Sequence, residues 1–191
     1  MGLVLVTPPA GKVVSTDEIR QWCRIDPDVT ADDDLLDELV AAAADLVQEG
    51  WGLQLLSATW RLTGCSFADP LRLPRYPVSS VGSVTYTDAN GDTQTLATSV
   101  WELDATGPAA VVRTKYGQVW PVARSHPGSV AVTFTAGYGA SADDVPPTLK
   151  TAVKMAAHWW YERRGDERET AALALPAACV RLVAARWNGG Y

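Results

Sequence analysis

The sequence predicts an α+β fold: a helical bundle of about four helices carrying an inserted small antiparallel β-subdomain. Three observations predict it. Leu35, Leu36, Leu39, Val40, Ala43, Leu46 and Val47 recur with the 3.6-residue period of a helix that buries one face. From Leu55 to Tyr138, short β-branched and aromatic runs alternate with turn signals. Beyond Pro147 the helical period returns in Leu149, Val153, Ala156, Ala157, Trp160 and Tyr161. These shifts divide the chain into an N-terminal helical part (1–54), a β insert (55–140) and C-terminal helices (141–191) that complete the bundle.

Residues 1–14 read as extended, with Pro8, Pro9 and Gly11. Ser15 or Thr16 then caps a short helix whose first turn holds Asp17 and Glu18, where the helix dipole favours acids. Ile19, Trp22 and Cys23 give it an apolar stripe, and Pro27 stops it. A longer helix spans Asp32 to Glu49. Asp32, Asp33, Asp34, Asp37 and Glu38 crowd its start, and Gly50 and Gly52 end it. Strands are expected at Ala58–Leu62, Pro77–Tyr86, Thr93–Leu96, Trp101–Leu103, Val111–Lys115 and Val130–Thr135. Asn90 and Gly91 supply a hairpin turn with positive φ. Pro146 and Pro147 open the third helix, where proline is tolerated, and it runs to Arg163 and Arg164. A mobile stretch at 165–175 precedes a last helix from Pro176 to Trp187, with Cys179, Val180, Val183 and Ala184 on one side and a fraying tail after it.

The composition is that of globular material, 47% hydrophobic and 20% charged. No apolar run approaches the roughly 20 residues that span a bilayer, so no membrane partner is expected. The start Met1–Val6 lacks a basic segment and is a poor signal peptide. Net charge is −6 and uneven. Residues 15–50 hold eleven acids and two bases, a net −9; residues 150–191 hold seven bases and four acids, a net +3. Such a chain does not grip DNA, because that binding depends on cations displacing counterions from phosphates. The asymmetry does suit head-to-tail contact between unlike surfaces.

No nucleophile elbow, zinc-protease helix, phosphate loop or dinucleotide fingerprint occurs. Cys23, Cys65 and Cys179 are widely spaced and read as reduced, mostly buried small hydrophobes. With His126 and His158 they make no metal spacing, and no cofactor is expected. Asp26, Asp28, Thr30, Asp32, Asp34 and Asp37 place oxygens as a calcium loop would. However, Ala31 stands where the sharp turn needs glycine, and the last acids belong to a helix start. His158 lies among apolar residues on a helix, as a core or interface residue does. Without convergent catalytic groups the chain reads as no enzyme.

Eight tryptophans are spread over every element. Trp159 and Trp160 are adjacent on one helix and cannot face the same core. One is therefore available to a partner, since aromatics anchor interfaces. Arg163 and Arg164 end the same helix and suit an acidic neighbour. The candidate is the start of the acidic helix in an adjacent subunit, through Asp33, Asp34, Asp37 and Glu38.

Two linked segments carry a family resemblance. Leu73, Pro74, Arg75, Pro77, Val78 and Val81, then Val84, Tyr86, Asp88, Gly91 and Leu96, look like the β insert of the head–tail connector (adaptor) proteins of tailed bacteriophages and gene transfer agents. Thr135 to Tyr138, then Val145, Pro146, Leu149 and Tyr161 to Arg164, resemble the helix re-entry of that family. The short helix with Arg24, Ile25 and Asp26 and the helix with Ala41 to Ala44 fit as well.

The resemblance covers residues 13–188 and rests on packing and turn signatures. It implies a structural adaptor in the neck of a virion or virus-like particle, assembled in the bacterial cytoplasm. There it would form a ring of about twelve copies under the portal protein. The ring would join head to tail, contact the next neck component or a tail protein, and let double-stranded DNA pass without specific binding. It would engage the portal through its C-terminal segment, for which Trp159, Trp160, Arg163, Arg164, Val180, Arg181, Val183, Arg186 and Trp187 are the candidates. The alternative expectation is a monomeric binding module using the β-subdomain as its recognition surface.

Overall fold

The computed structural model describes residues 1–107, 109–164 and 175–185. Arg186, Trp187, the tail after them and nearly all of the expected mobile stretch 165–175 lie outside these residues. The fold is mixed α+β, with four helices and antiparallel sheets in the described residues. It forms two compact units. One takes Met1–Pro9 and Ser57–Tyr138, and the other takes Ala10–Leu56 and the described residues from Gly139 on.

The helical unit contains α1 (Thr16–Cys23), α2 (Asp33–Trp51), α3 (Pro147–Glu162) and α4 (Ala177–Ala184). Ser15 caps α1 with a full capping box: its hydroxyl accepts from the Glu18 N–H, and the Glu18 carboxylate accepts from the Ser15 N–H. The helix stops at Cys23, four residues before Pro27. Arg24 turns left-handed there, φ 57°, and its N–H returns to the carbonyls of Arg20 and Gln21. Gly52 ends α2 the same way at φ 62°, while Gly50 stays inside the helix. A single 3-10 turn at Ala142–Asp144 precedes α3.

The core of this unit is Ile19, Leu36, Val40, Ala43, Val47, Leu149, Val153, Ala156, Ala157, Trp160, Cys179 and Val183, all buried. The expected face of α3 is buried in full. The buried stripe on α2 is shifted from the one its period suggests: Leu46 is 38% exposed, and Ala44 is buried. On α1 only Ile19 is buried; Trp22 is 40% exposed. An eight-residue helix turns fewer side chains inward than its pattern offers.

The β unit has two antiparallel sheets. The larger runs in the order β1 (Gly2–Thr7), β2 (Ala58–Gly64), β8 (Val130–Ala136), β4 (Val78–Thr87), β5 (Thr93–Thr95). The smaller runs β3 (Leu71–Arg72), β7 (Val111–Thr114), β6 (Trp101–Asp104). The extended N-terminus is thus a true edge strand, paired from Gly2↔Thr63 to Thr7↔Thr59. Sequence patterning misses β3, because two residues carry no period. At the β4–β5 turn only Gly91 takes positive φ, 97°; Asn90 does not.

β8 is the centre of this unit. It pairs with β2 and β4, and its burial alternates strictly, with Val130, Val132, Phe134 and Ala136 inside. Those four meet Leu62, Leu71, Leu73, Val78, Val84, Trp101, Ala110 and Val112. Phe134 is fully buried in the middle. Phe134→Ala is expected to lower unfolding stability by about 3–5 kcal/mol through lost burial and a cavity. A urea melt followed by tryptophan fluorescence measures it; a loss well under 1 kcal/mol would mean that β8 is not the packing centre.

Candidate functional site

The described part of α4 packs on α3, and a concave apolar surface opens in the helical unit. It holds about 340 Å³ and is lined by Trp22, Met155, His158, Trp159, Glu162, Arg163, Pro176 and Ala178. The Arg163 guanidinium lies 3.1 Å from the centre of the Trp159 ring, and the Lys154 ammonium lies 5.2 Å from the Trp22 ring. Cations over aromatic faces keep these rings oriented while leaving them accessible. The surface offers two indoles, a thioether and a cation rim, which is the chemistry of an anchor site for a protein partner.

The expected division between the paired tryptophans is present. Trp160 is buried, with an indole N–H that meets no hydrogen-bond acceptor among the described residues, and Trp159 is half-buried on the concave side. Of the other candidate docking residues, Val180 and Arg181 are exposed on α4. Val183 is fully buried and packs inside the unit. Trp160 and Val183 therefore belong to the core and not to the exposed surface. Arg186 and Trp187 lie outside the described residues.

The acids at the α2 start are largely engaged within their own chain. Asp32 accepts from the Tyr161 hydroxyl at 2.6 Å and faces Arg164 at 3.6 Å. The Arg164 guanidinium also stacks 3.9 Å over the Tyr161 ring and donates to the Tyr161 carbonyl at 2.8 Å. Arg20 forks onto Asp33, its Nε donating at 2.6 Å. Lys12 and the Thr16 hydroxyl hold the two oxygens of Asp37, at 2.6 and 2.8 Å. Arg164 thus meets the acidic helix start of its own chain, whereas the sequence suggests a neighbour's. Asp34 and Glu38 remain exposed. Sequence patterning misses Arg20, Lys12 and Tyr161 as partners, because their contacts join residues 13 to 129 positions apart.

No group of three or more His, Cys, Asp or Glu side chains among the described residues is arranged to hold a metal ion. The Cys23 sulfur lies 3.3 Å from His158 Nδ1. Burial first, and the Glu162 charge second, push the Cys23 thiol up, so the nucleophilic thiolate is disfavoured. Of the three cysteines only Cys179 is buried; Cys65 is exposed and Cys23 half-buried, against the expectation of mostly buried thiols. A hollow of about 670 Å³ beside α1 is lined by Asp17, Arg20, Arg24 and Asp26. Its Arg20 is already committed to Asp17 and Asp33. No helix among the described residues is long and apolar enough to cross a membrane.

The ion pairs have a pH signature. The Arg20 hydrogen bond holds the Asp33 carboxyl below its ordinary 3.8. Burial alone would raise Glu18, but the Ser15 N–H and the Lys150 ammonium at 3.1 Å bring it below its ordinary 4.5. Depressed carboxyls stabilise the fold fully above their unfolded values, and that share is lost as pH falls through the folded values. The helical signal at 222 nm is therefore expected to melt at lower urea below about pH 4.5 than at pH 7. Asp33→Asn is expected to flatten that dependence, and an unchanged pH profile in the variant would contradict the role given to Asp33.

Comparison with known proteins adds three findings. A family model described as phage gp6-like head-tail connector protein matches residues 14–96. No curated protein matches the chain. Among solved structures, the chain is similar to a chain of the virion of a native gene transfer agent particle, with 28% identity and a TM-score of 0.83. It is similar at the same identity to chains of the neck of the empty particle computed with C6 symmetry, TM-score 0.82, and of the neck of the native particle computed with C12 symmetry, TM-score 0.76. Each likeness covers 100% of this chain and 97% of the other.

Proposed function

We propose that this chain, which groups with the head–tail connectors of phages and gene transfer agents in sequence over residues 14–96 and in fold over its full length, is a structural adaptor of a particle neck. It stands in a ring of copies, about twelve, between the portal protein and the next neck component or tail protein. The ring joins head to tail and continues the channel through which double-stranded DNA passes. Its role is structural and not catalytic.

The observation that carries this reading is the full-length likeness at 28% identity. The likeness covers 100% of this chain and 97% of the gene transfer agent chain. Charge supports it independently. Between Ile25 and Trp60 the chain has nine acids and no Lys or Arg. Arg164, Arg20 and Lys12 compensate Asp32, Asp33 and Asp37, and the exposed acids Asp34, Glu38 and Asp45 offer phosphates no cation, which suits a conduit that must release DNA and not hold it.

The docking face for the portal is the concave surface around Trp22, Trp159, Arg163 and Pro176, continued by Val180 and Arg181 on α4. It combines the aromatic and arginine anchors that dominate binding energy with an apolar floor. Removing α4 is a poor test, because Cys179 and Val183 belong to the core. Trp159→Ala with Arg163→Glu is the better one, since Trp159 is half-buried and Arg163 lies at the rim. The expected outcome is a folded protein, with unjoined heads and tails accumulating by at least about tenfold in electron micrographs. Normal joining by that variant would contradict the docking face.

A further inference from the structure

The β unit carries a surface that its own packing does not use. Between β7 and β8 the chain runs as an irregular loop fixed at three points. The Lys115 N–H donates to the Val100 carbonyl at 2.9 Å, and the Arg124 N–H donates to the Thr87 carbonyl at 2.9 Å. Between them Trp120 stacks flat on Phe67, with ring centroids 4.7 Å apart and planes 5° apart. Among these fixed points Tyr116 is fully exposed, Val119 is 80% exposed and Val122 is 85% exposed. Three large apolar side chains exposed within seven residues of one fixed loop offer apolar area to a partner. Arg113 at its start is paired with Glu102 across β6 and β7 at 2.8 Å; beyond it, from Thr114 to Ser129, the chain holds Lys115 and Arg124 and no acid.

A surface of opposite character lies on the outer side of α2. Lys12 and Arg20 neutralise Asp37 and Asp33. Asp34, Glu38 and Asp45 stay exposed, and between them lie exposed Ala41, Ala42 and the partly exposed Leu46. The strip is smooth, apolar and edged with carboxylates.

We infer that the Tyr116–Arg124 loop of one copy docks onto the outer face of α2 on the next copy. The occupant is a second copy because each chain carries both halves: a basic apolar loop and an acidic apolar strip. Two unlike complementary surfaces make a heterologous contact, which closes into a ring when the rotation permits. This interface rests on the neck reading for its geometry of neighbours in a circle. Val119 and Val122 meet the Ala41–Ala42 strip, and Arg124 meets Glu38.

The test is photo-crosslinking of the full-length chain in producing cells, with benzoylphenylalanine at Val122. The expected product is an adduct of two copies whose crosslinked peptide lies within Asp33–Trp51. Arg124→Glu is expected to reduce that adduct by about tenfold, and Glu38→Lys in the same chain to restore it. Both charged residues are exposed, and a thermal melt confirms that each variant folds. An adduct with another protein, an adduct of two copies elsewhere in the chain, or no adduct overturns the interface. Abundance of the chain in purified particles reports on the neck reading separately. A chain present in particles without the α2 adduct sinks only the interface. A chain absent from particles that still gives the adduct sinks only the neck reading.

Discussion

Three helices of the helical unit meet at the first residues of α2, and carboxylates tie them together. Asp32 binds the Tyr161 hydroxyl and faces Arg164 from α3, Asp33 is forked by Arg20 from α1, and Asp37 takes Lys12 and Thr16. Each bond is modest where solvent reaches it. Their importance lies in geometry. They fix how the ends of α1 and α3 stand against α2, and so where Trp22 and Trp159 stand on the concave surface. They also consume the cations nearest to the acidic helix, so the acids left over on its outer face are the ones open to a partner.

The β unit achieves the opposite separation. β8 gathers apolar side chains from both sheets and leaves charge to the periphery. The core is filled by Phe134 and its neighbours, with Trp120 and Ala123 of the β7–β8 loop packed against it, while Tyr116, Val119 and Val122 of the same loop face outward. The Phe67–Trp120 stack holds the loop in a fixed shape, which lowers the ordering cost of binding. Division of labour between a packed interior and a fixed exposed loop fits an assembly component.

Much of this was legible in the residues. The periods of α2 and α3, the proline entry to α3 and the strict alternation of β8 each put one physical signal in one continuous window. The strand role of Gly2–Thr7 was only half legible, because an edge strand exposed on both faces shows no alternation. The end of α1 is not legible in the sequence, where Pro27 is the visible stop, because a left-handed arginine at Arg24 has no sequence signature. The docking residues were legible as a group but not as faces. Adjacent Trp159 and Trp160 demanded a split, and α3 packing decided which ring turned inward. Long-range pairs such as Arg20–Asp33 and Tyr161–Asp32 leave no trace in local pattern, so acids that read as free proved partnered.

The central claim is that this chain is a stoichiometric part of a particle neck. Quantitative mass spectrometry of purified particles, scaled to the portal protein, tests it most directly. The account predicts about one copy per portal subunit, as matched rings require. Absence of the chain from intact, tailed particles would contradict it.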